Sequence, residues 1–255
     1  MVEIATAAVL LIGDEVLSGR TKDKNLGFIA DYLTALGIDL KEARVVADDE
    51  NDIVAAVNAL RVRYTYVFTT GGIGPTHDDI TADAMAKAFG VGISHHPEAV
   101  KILTEYFVQI GREANEARMR MARVPDGAEL ILNPVSKAPG FRFENVFVMA
   151  GVPKVMNAMM DEIAPTLAKG VPMQSRTIQF LGGEGDVAKP LKEIQDRFPG
   201  VTIGSYLFET PQGFATNLVL RSRDGEQLER ASRSVCDTAK ELLMAGKARG
   251  WSKLP

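Results

Sequence analysis

The chain is poor in the residues that staple or metallate small proteins. It has one cysteine, Cys236, and three histidines, His77, His95 and His96, among 255 residues. One thiol excludes an intrachain disulfide and any Cys-rich zinc site, and three histidines leave little for a His-rich metal centre. Long apolar runs are missing too. Ala7–Ile12 is too short to span a bilayer, lacks a basic segment before it, and runs into Gly13-Asp14-Glu15 rather than a cleavage site. No membrane partner is expected, and the reading is of a soluble, reduced, cytoplasmic protein. Nor is positive charge in excess. The 29 Lys+Arg stand against 33 Asp+Glu, a formal charge of −4, which argues against a nucleic-acid partner held by broad backbone contact. What is present suits a packed core, since hydrophobic residues make up 46 %.

The first two-thirds of the chain alternate apolar runs with helical spacing. Ala7–Ile12, Leu40–Val46 and Tyr64–Thr70 read as strands; Asn25–Leu36, Ile53–Leu60 and Ile80–Phe89 read as helices, with Gly37 and Gly90 as stops. Repeated strand–helix units predict an α/β fold, a mainly parallel sheet with helices on both faces. Pro97–Arg123 reads as a solvated helix pair carrying mixed charge, and His95-His96-Pro97 as the turn before it. Glu129–Leu132 and Asn145–Met149 are further strands, and Pro153–Leu167 a helix. Met119, Met121, Met149, Met156, Met159 and Met160 read as core or interface filler. Gly170-Val171-Pro172 looks like a linker, giving a first domain over 1–170. The order strand (Thr177–Leu181), helix (Val187–Arg197), strand (Val201–Tyr206), strand (Ala215–Leu220), helix (Glu226–Leu243) then predicts a small α+β domain of ferredoxin-like type over 171–250. Residues 251–255 are expected to form a fraying tail.

The segment Thr70-Gly71-Gly72-Ile73-Gly74-Pro75-Thr76-His77-Asp78-Asp79-Ile80-Thr81 carries the most chemistry. A buried strand feeds three glycines, a proline and a helix start, a pattern that brings backbone N–H groups and a helix terminus to an anion. No lysine follows, so it is not a Walker loop, and the Rossmann spacing does not fit. Asp78 and Asp79 stand where a base would be expected. Like charges about 4 Å apart repel by roughly 4 kcal/mol at an effective dielectric near 20, so carboxylates beside a phosphate call for a divalent cation such as Mg²⁺ to bridge them. The bland reading is that both acids merely cap the helix. Two more acidic turns, Gly13-Asp14-Glu15 and Asp48-Asp49-Glu50, end strands of the same parallel set and are expected to share one crevice with the glycine loop. Asn25, beside Lys22 and Lys24, is open to two readings, phosphate ligand or helix cap. His77 reads as a surface loop residue, Cys236 as buried and inert, and Gly182-Gly183-Glu184-Gly185-Asp186 as a turn.

Taken in order, Gly13-Asp14-Glu15-Val16-Leu17-Ser18-Gly19, Asn25, Asp48, the Thr70–Thr81 segment, Pro125-Asp126-Gly127-Ala128, Asn133, Ala138-Pro139-Gly140 and Gly151-Val152-Pro153 resemble the MoaB/Mog-type molybdopterin-binding domain. They are similar in particular to the N-terminal part of the competence/damage-inducible protein A family. The resemblance covers residues 4–168 and implies a three-layer α/β domain that binds a nucleotide or pterin through its phosphates, as a homo-oligomer. It implies two activities: Mg²⁺-dependent hydrolysis of a nucleotide diphosphate of the ADP-ribose or FAD type, or molybdopterin binding and adenylylation. A non-catalytic binding module is the third reading. By motif position it implies Asp79, Asp48 and Glu15 as catalytic acids, and Asp78 with Asp79 as metal ligands. Thr70, Gly71, Gly72, Gly74, Pro75, Thr76 and Asn25 are implied as ligand-binding residues. Val155 stands where the family carries an acid, Ser136-Lys137 replaces a common Gly-Thr, and the resemblance does not extend to the family's nicotinamide-nucleotide deamidase domain.

Overall fold

Ala7 through Ile12 are buried to the last atom or nearly so. Their alternate side chains enter two different cores, Ala7, Val9 and Leu11 on one face and Ala8, Leu10 and Ile12 on the other. A strand with no polar face is stable only when both sides are covered, and this requirement organises the larger part of the computed structural model, which describes residues 4–254. The chain divides into two units, Met1–Gly170 and Val171–Pro255.

In the first unit the elements run β1 (Thr6–Ile12), α1 (Asp14–Leu17), α2 (Asn25–Ala35), β2 (Asp39–Val46), α3 (Glu50–Arg61), β3 (Tyr66–Thr70) and α4 (Thr81–Phe89). They continue β4 (Ile93–His95), α5 (Pro97–Gln109), α6 (Glu116–Met119), β5 (Arg123–Pro125), β6 (Glu129–Ile131), β7 (Gly140–Phe143), β8 (Val146–Met149) and α7 (Pro153–Ile163). The six-stranded sheet has the order β2-β1-β3-β8-β7-β6. The first four strands are parallel, and β7 alone runs back, pairing antiparallel with β8 on one side and β6 on the other. Helices α3 and α4 cover one face through Ile53, Val57, Leu60 and Met85. Helices α2 and α7 cover the other through Ile29, Leu33, Met156, Met159, Met160 and Ile163, with Phe68 and Phe147 stacked beneath them. Each fully buried aliphatic side chain contributes about 1.5–3 kcal/mol, so both helical layers are held mainly by these apolar stripes.

Helix α2 is tied to the 151–170 segment along its length. The Asn25 amide donates to the Gly151 carbonyl at 2.8 Å, the Tyr32 hydroxyl to Asp161 Oδ1 at 2.8 Å, and the Gly170 N–H to the Leu36 carbonyl at 2.9 Å. Burial and the Asp161 carboxylate push the Tyr32 hydroxyl up to about 12, so this tie keeps its proton through the physiological range.

The second unit is built from β9 (Gln174–Phe180), α8 (Glu184–Arg197), β10 (Thr202–Thr210), β11 (Gly213–Ser222), α9 (Gly225–Met244) and β12 (Trp251–Lys253). Its sheet order is β10-β11-β9-β12, antiparallel throughout, and the β-α-β-β-α-β order is ferredoxin-like. The expected fraying tail is here corrected. Trp251 pairs with Phe180 and Lys253 with Ile178, so the tail supplies the fourth strand, and Lys240 lies 5.7 Å from the Trp251 ring. Short elements also depart from expectation: β4, β5 and β7 were not foreseen, and His95 ends a strand paired with Arg123 rather than lying in a turn. Among the described residues no helix is long and apolar enough to cross a membrane.

Candidate functional site

Because β1, β2, β3 and β8 run parallel, the turns that follow them gather at one edge of the sheet. The segment joining β6 to β7 reaches the same edge, since Ile131 pairs with Gly140 there. Gly71 and Gly72 bend the turn after β3 at φ +106° and +65°. A Cβ on Gly71 would collide with the Ile12 carbonyl, and one on Gly72 with the Thr81 hydroxyl; glycine lets the loop lie this close to β1. Thr81, wholly buried, secures the bend by donating its N–H to the Gly72 carbonyl and its hydroxyl to the Gly71 carbonyl, both at 3.0 Å.

Asp79 does not cap the helix after it. The N-cap of α4 is Ile80, which makes no side-chain cap. The Asp79 carboxylate lies over Gly74 instead, its Oδ2 accepting from the Thr76 N–H at 2.8 Å and the Thr76 hydroxyl at 2.5 Å. Thr76 is therefore spent on bracing the loop. Asp78 is exposed on the same loop.

Asp48 sits at the centre of the acids. Its Oδ2 accepts from the Asp14 N–H at 3.0 Å, and its Oδ1 lies about 3.6 Å from where a Cβ on Gly72 would be. Burial pushes the Asp48 carboxyl up; the Asp14 N–H opposes this, and the charges of Asp14, Glu15 and Asp78 reinforce it. The three acidic turns thus share one field, as the parallel topology predicts. Glu15 folds its carboxylate back over Gly13.

Of its two expected roles, Asn25 does not take that of helix cap. Asp23 caps α2, accepting from the Asn25 and Leu26 N–H groups, while the Asn25 amide holds Gly151 and its buried Oδ1 has no partner. Asn25 thus fastens a wall. Thr70 stands beside it, its hydroxyl 3.5 Å from the Asn25 amide. Together they line a cavity of about 230 Å³ with Lys22 and Lys24. A second cleft of about 500 Å³ is lined by Glu15, Gly71, Gly74, Asp79, Ser136 and Pro153, a size that suits a nucleotide-like ligand. Val155 also lines it and is otherwise buried in the core. Pro75 is exposed on the loop.

The sequence reading assigned no role to two features of this edge. Asn133, only 4 % exposed, organises the segment between β6 and β7: its Oδ1 accepts from the Val135 and Ser136 N–H groups and its amide contacts the Ala138 carbonyl. An asparagine directly before Pro134, at the start of a turn, is the local signal that could have found it. Arg120 and Arg123 come from the charged stretch read as solvated, and both line a small cavity beside the glycine loop. Arg123 pairs with Asp83 at 2.6 Å.

Among the described residues no group of three or more His, Cys, Asp or Glu converges as a metal cage. The donors at hand, Asp78, Asp79 and Asp48, are hard oxygens. They fit a Mg²⁺-like ion that takes one or two carboxylates and fills its remaining positions with phosphate oxygens and water.

A mainly parallel sheet covered by helices on both faces, with a glycine loop and acids at its strand ends, defines a three-layer α/β domain. Residues 8–169 match the family described as "Probable molybdopterin binding domain", and residues 172–246 match "FAD synthase, middle domain". The chain belongs to this molybdopterin-binding-domain family. It is 34 % identical over 239 residues to Protein TK1472 of Thermococcus kodakarensis, covering 88 % of this chain and 93 % of that one. It is 36 % identical over 214 residues to a CinA-like protein of Geobacter metallireducens, covering 80 % of this chain and 52 % of that one. Among solved structures it is similar to CinA from Thermoplasma acidophilum, a protein of unknown function. That likeness has a TM-score of 0.59 and 31 % identity, over 64 % of this chain and 98 % of that one.

Proposed function

We propose that this chain is a divalent-metal-dependent hydrolase of a nucleotide diphosphate of the ADP-ribose or FAD type. The observation that carries the reading is the approach of Asp48 to the glycine loop: a carboxyl with a raised pKa rests against Gly72, where a phosphate held by the loop amides would lie. The loop binds and orients the diphosphate through its N–H groups. Asp48 takes a proton from the attacking water as its oxygen bonds to phosphorus and the bridging P–O bond breaks. Glu15, on the neighbouring turn, aligns that water. Asp78 and Asp79 would hold a divalent ion, which would supply charge neutralisation at the phosphate. The match of the second unit to the FAD synthase middle domain supports a nucleotide ligand.

The family match itself favours a second reading, molybdopterin binding with adenylylation from MgATP. Product analysis separates the two. Incubation with ADP-ribose and Mg²⁺ is expected to release AMP and ribose 5-phosphate. Adenylylated pterin from MgATP, with ADP-ribose left intact, would reject the first reading in favour of the second. Tight ligand binding without any product would make the chain a non-catalytic module. The protein is further proposed to assemble as a homo-oligomer, which sedimentation would test.

A further inference from the structure

The glycine loop has acids on several sides and no lysine of its own, so a bound phosphate needs a cation from elsewhere in the chain. Two arginines come within reach, and they are in different states. The Arg123 guanidinium is neutralised by Asp83 through two contacts, at 2.6 and 3.3 Å. Arg120, three residues earlier and lining the same small cavity against Gly72, Gly74 and Asp79, has no carboxylate within ion-pair distance among the described residues. Its Nη2 donates to the Asp79 carbonyl at 3.2 Å, and its buried Nε has no partner at all. A guanidinium keeps its charge at any physiological pH and offers five donors. Half-buried, with one donor used and no counter-ion, it is an unbalanced charge set against the loop.

We infer that Arg120 is the cation that holds a phosphate on the Gly71–Thr76 loop. It is a positioning residue acting across the Gly72–Gly74 wall, and it makes the site select a phosphorylated ligand over the uncharged nucleoside. The inference rests on the loop being a phosphate site, as proposed above. Asp83 reserves Arg123 for holding the β5 segment to α4, which leaves Arg120 as the free charge. The hydrogen bond to the Asp79 carbonyl fixes the guanidinium's position without offsetting that charge.

The test is calorimetric titration of ADP-ribose, AMP and adenosine, with Mg²⁺, into the wild-type protein and the Arg120→Gln, Arg120→Lys and Arg123→Gln variants. Melting temperatures are recorded for each. Wild type is expected to prefer AMP and ADP-ribose to adenosine. Arg120→Gln should weaken both phosphorylated ligands by about 10- to 100-fold, leave adenosine unchanged, and flatten the dependence of affinity on salt. Arg120→Lys should recover most of the loss. Arg123→Gln should lower the melting temperature with little effect on that preference. Wild-type affinity retained in Arg120→Gln overturns the assignment while leaving the loop as a phosphate site. Equal loss for adenosine and AMP, tracking a lowered melting temperature, makes Arg120 merely structural and also overturns it. A wild type that does not prefer AMP to adenosine removes the phosphate site itself, and the assignment with it.

Discussion

The turns Gly71–Gly74 and Gly182–Gly185 have nearly the same composition, glycines followed by acids, yet the backbone treats them differently. The first is bent into the left-handed region at two successive residues and lies against the Ile12 carbonyl. The second stays at negative φ: Gly183 is the extended N-cap of α8, Gly185 lies in that helix facing open space, and the Gly182 carbonyl is taken by the Thr216 hydroxyl at 2.9 Å. Composition alone therefore says little about a glycine-rich turn. What distinguishes the first is its place at the end of a strand buried on both faces, where polar groups have nowhere to emerge except at the strand ends.

Substitutions can sharpen or break this contrast. The largest effect is expected beside the first turn. Asp48→Asn keeps an acceptor for the Asp14 N–H but cannot take a proton, and turnover should fall by about 10²- to 10⁴-fold. Its stability should move the other way. The raised folded-state pKa means that the folded chain holds this proton more tightly than the unfolded one. Wild-type stability is then lost as pH rises from the ordinary aspartate value through the folded value. The Asn variant should melt at or above the wild-type temperature at pH 7, the difference vanishing in acid, and wild-type turnover should drop as pH falls through the same raised value. A pH–rate profile with melting curves checks both, and a lower melting temperature at pH 7 would break the account.

Next in size, Gly71→Ala places a side chain against backbone at a φ that disfavours it and should cost about 2–4 kcal/mol in denaturant unfolding. Its counterpart in the second turn should do the reverse. Gly185→Ala fills open space in a helix and should stabilise by about 0.5–1 kcal/mol. Equal effects at the two positions would mean that the turns are not different in kind.

How much could be read from the sequence follows from the same physics. Strands buried on both faces announce themselves as unbroken apolar runs, so β1 and β3, and the convergence of their acidic turns, were legible. The three-residue strands β4 and β5 and the four-residue β7 carry no period to read. Trp251-Ser252-Lys253 is likewise too short to declare itself, although the ferredoxin-like order calls for a fourth strand at that point. At the site, the glycine loop and Asp48 were legible because local pattern and topology suffice to place them. The tie made by Asn25 was not legible because its amide is taken up 126 residues away, by Gly151. Arg120 was hidden in a charged stretch, and it meets Asp79 from 41 residues away. Nothing local to it separates a solvated arginine from one aimed at a ligand.

The three ties along α2, at Asn25, Tyr32 and Leu36, all anchor in the same stretch of chain between Gly151 and Gly170. The last is a crossing of bare backbones, since a Cβ on either Gly37 or Gly170 would run into the other strand of it. The helix is in effect splinted at its head, waist and foot. All three ties would have to break before the helix could swing away from that stretch, whereas a single buried side chain, Asn133, gathers the 133–138 segment.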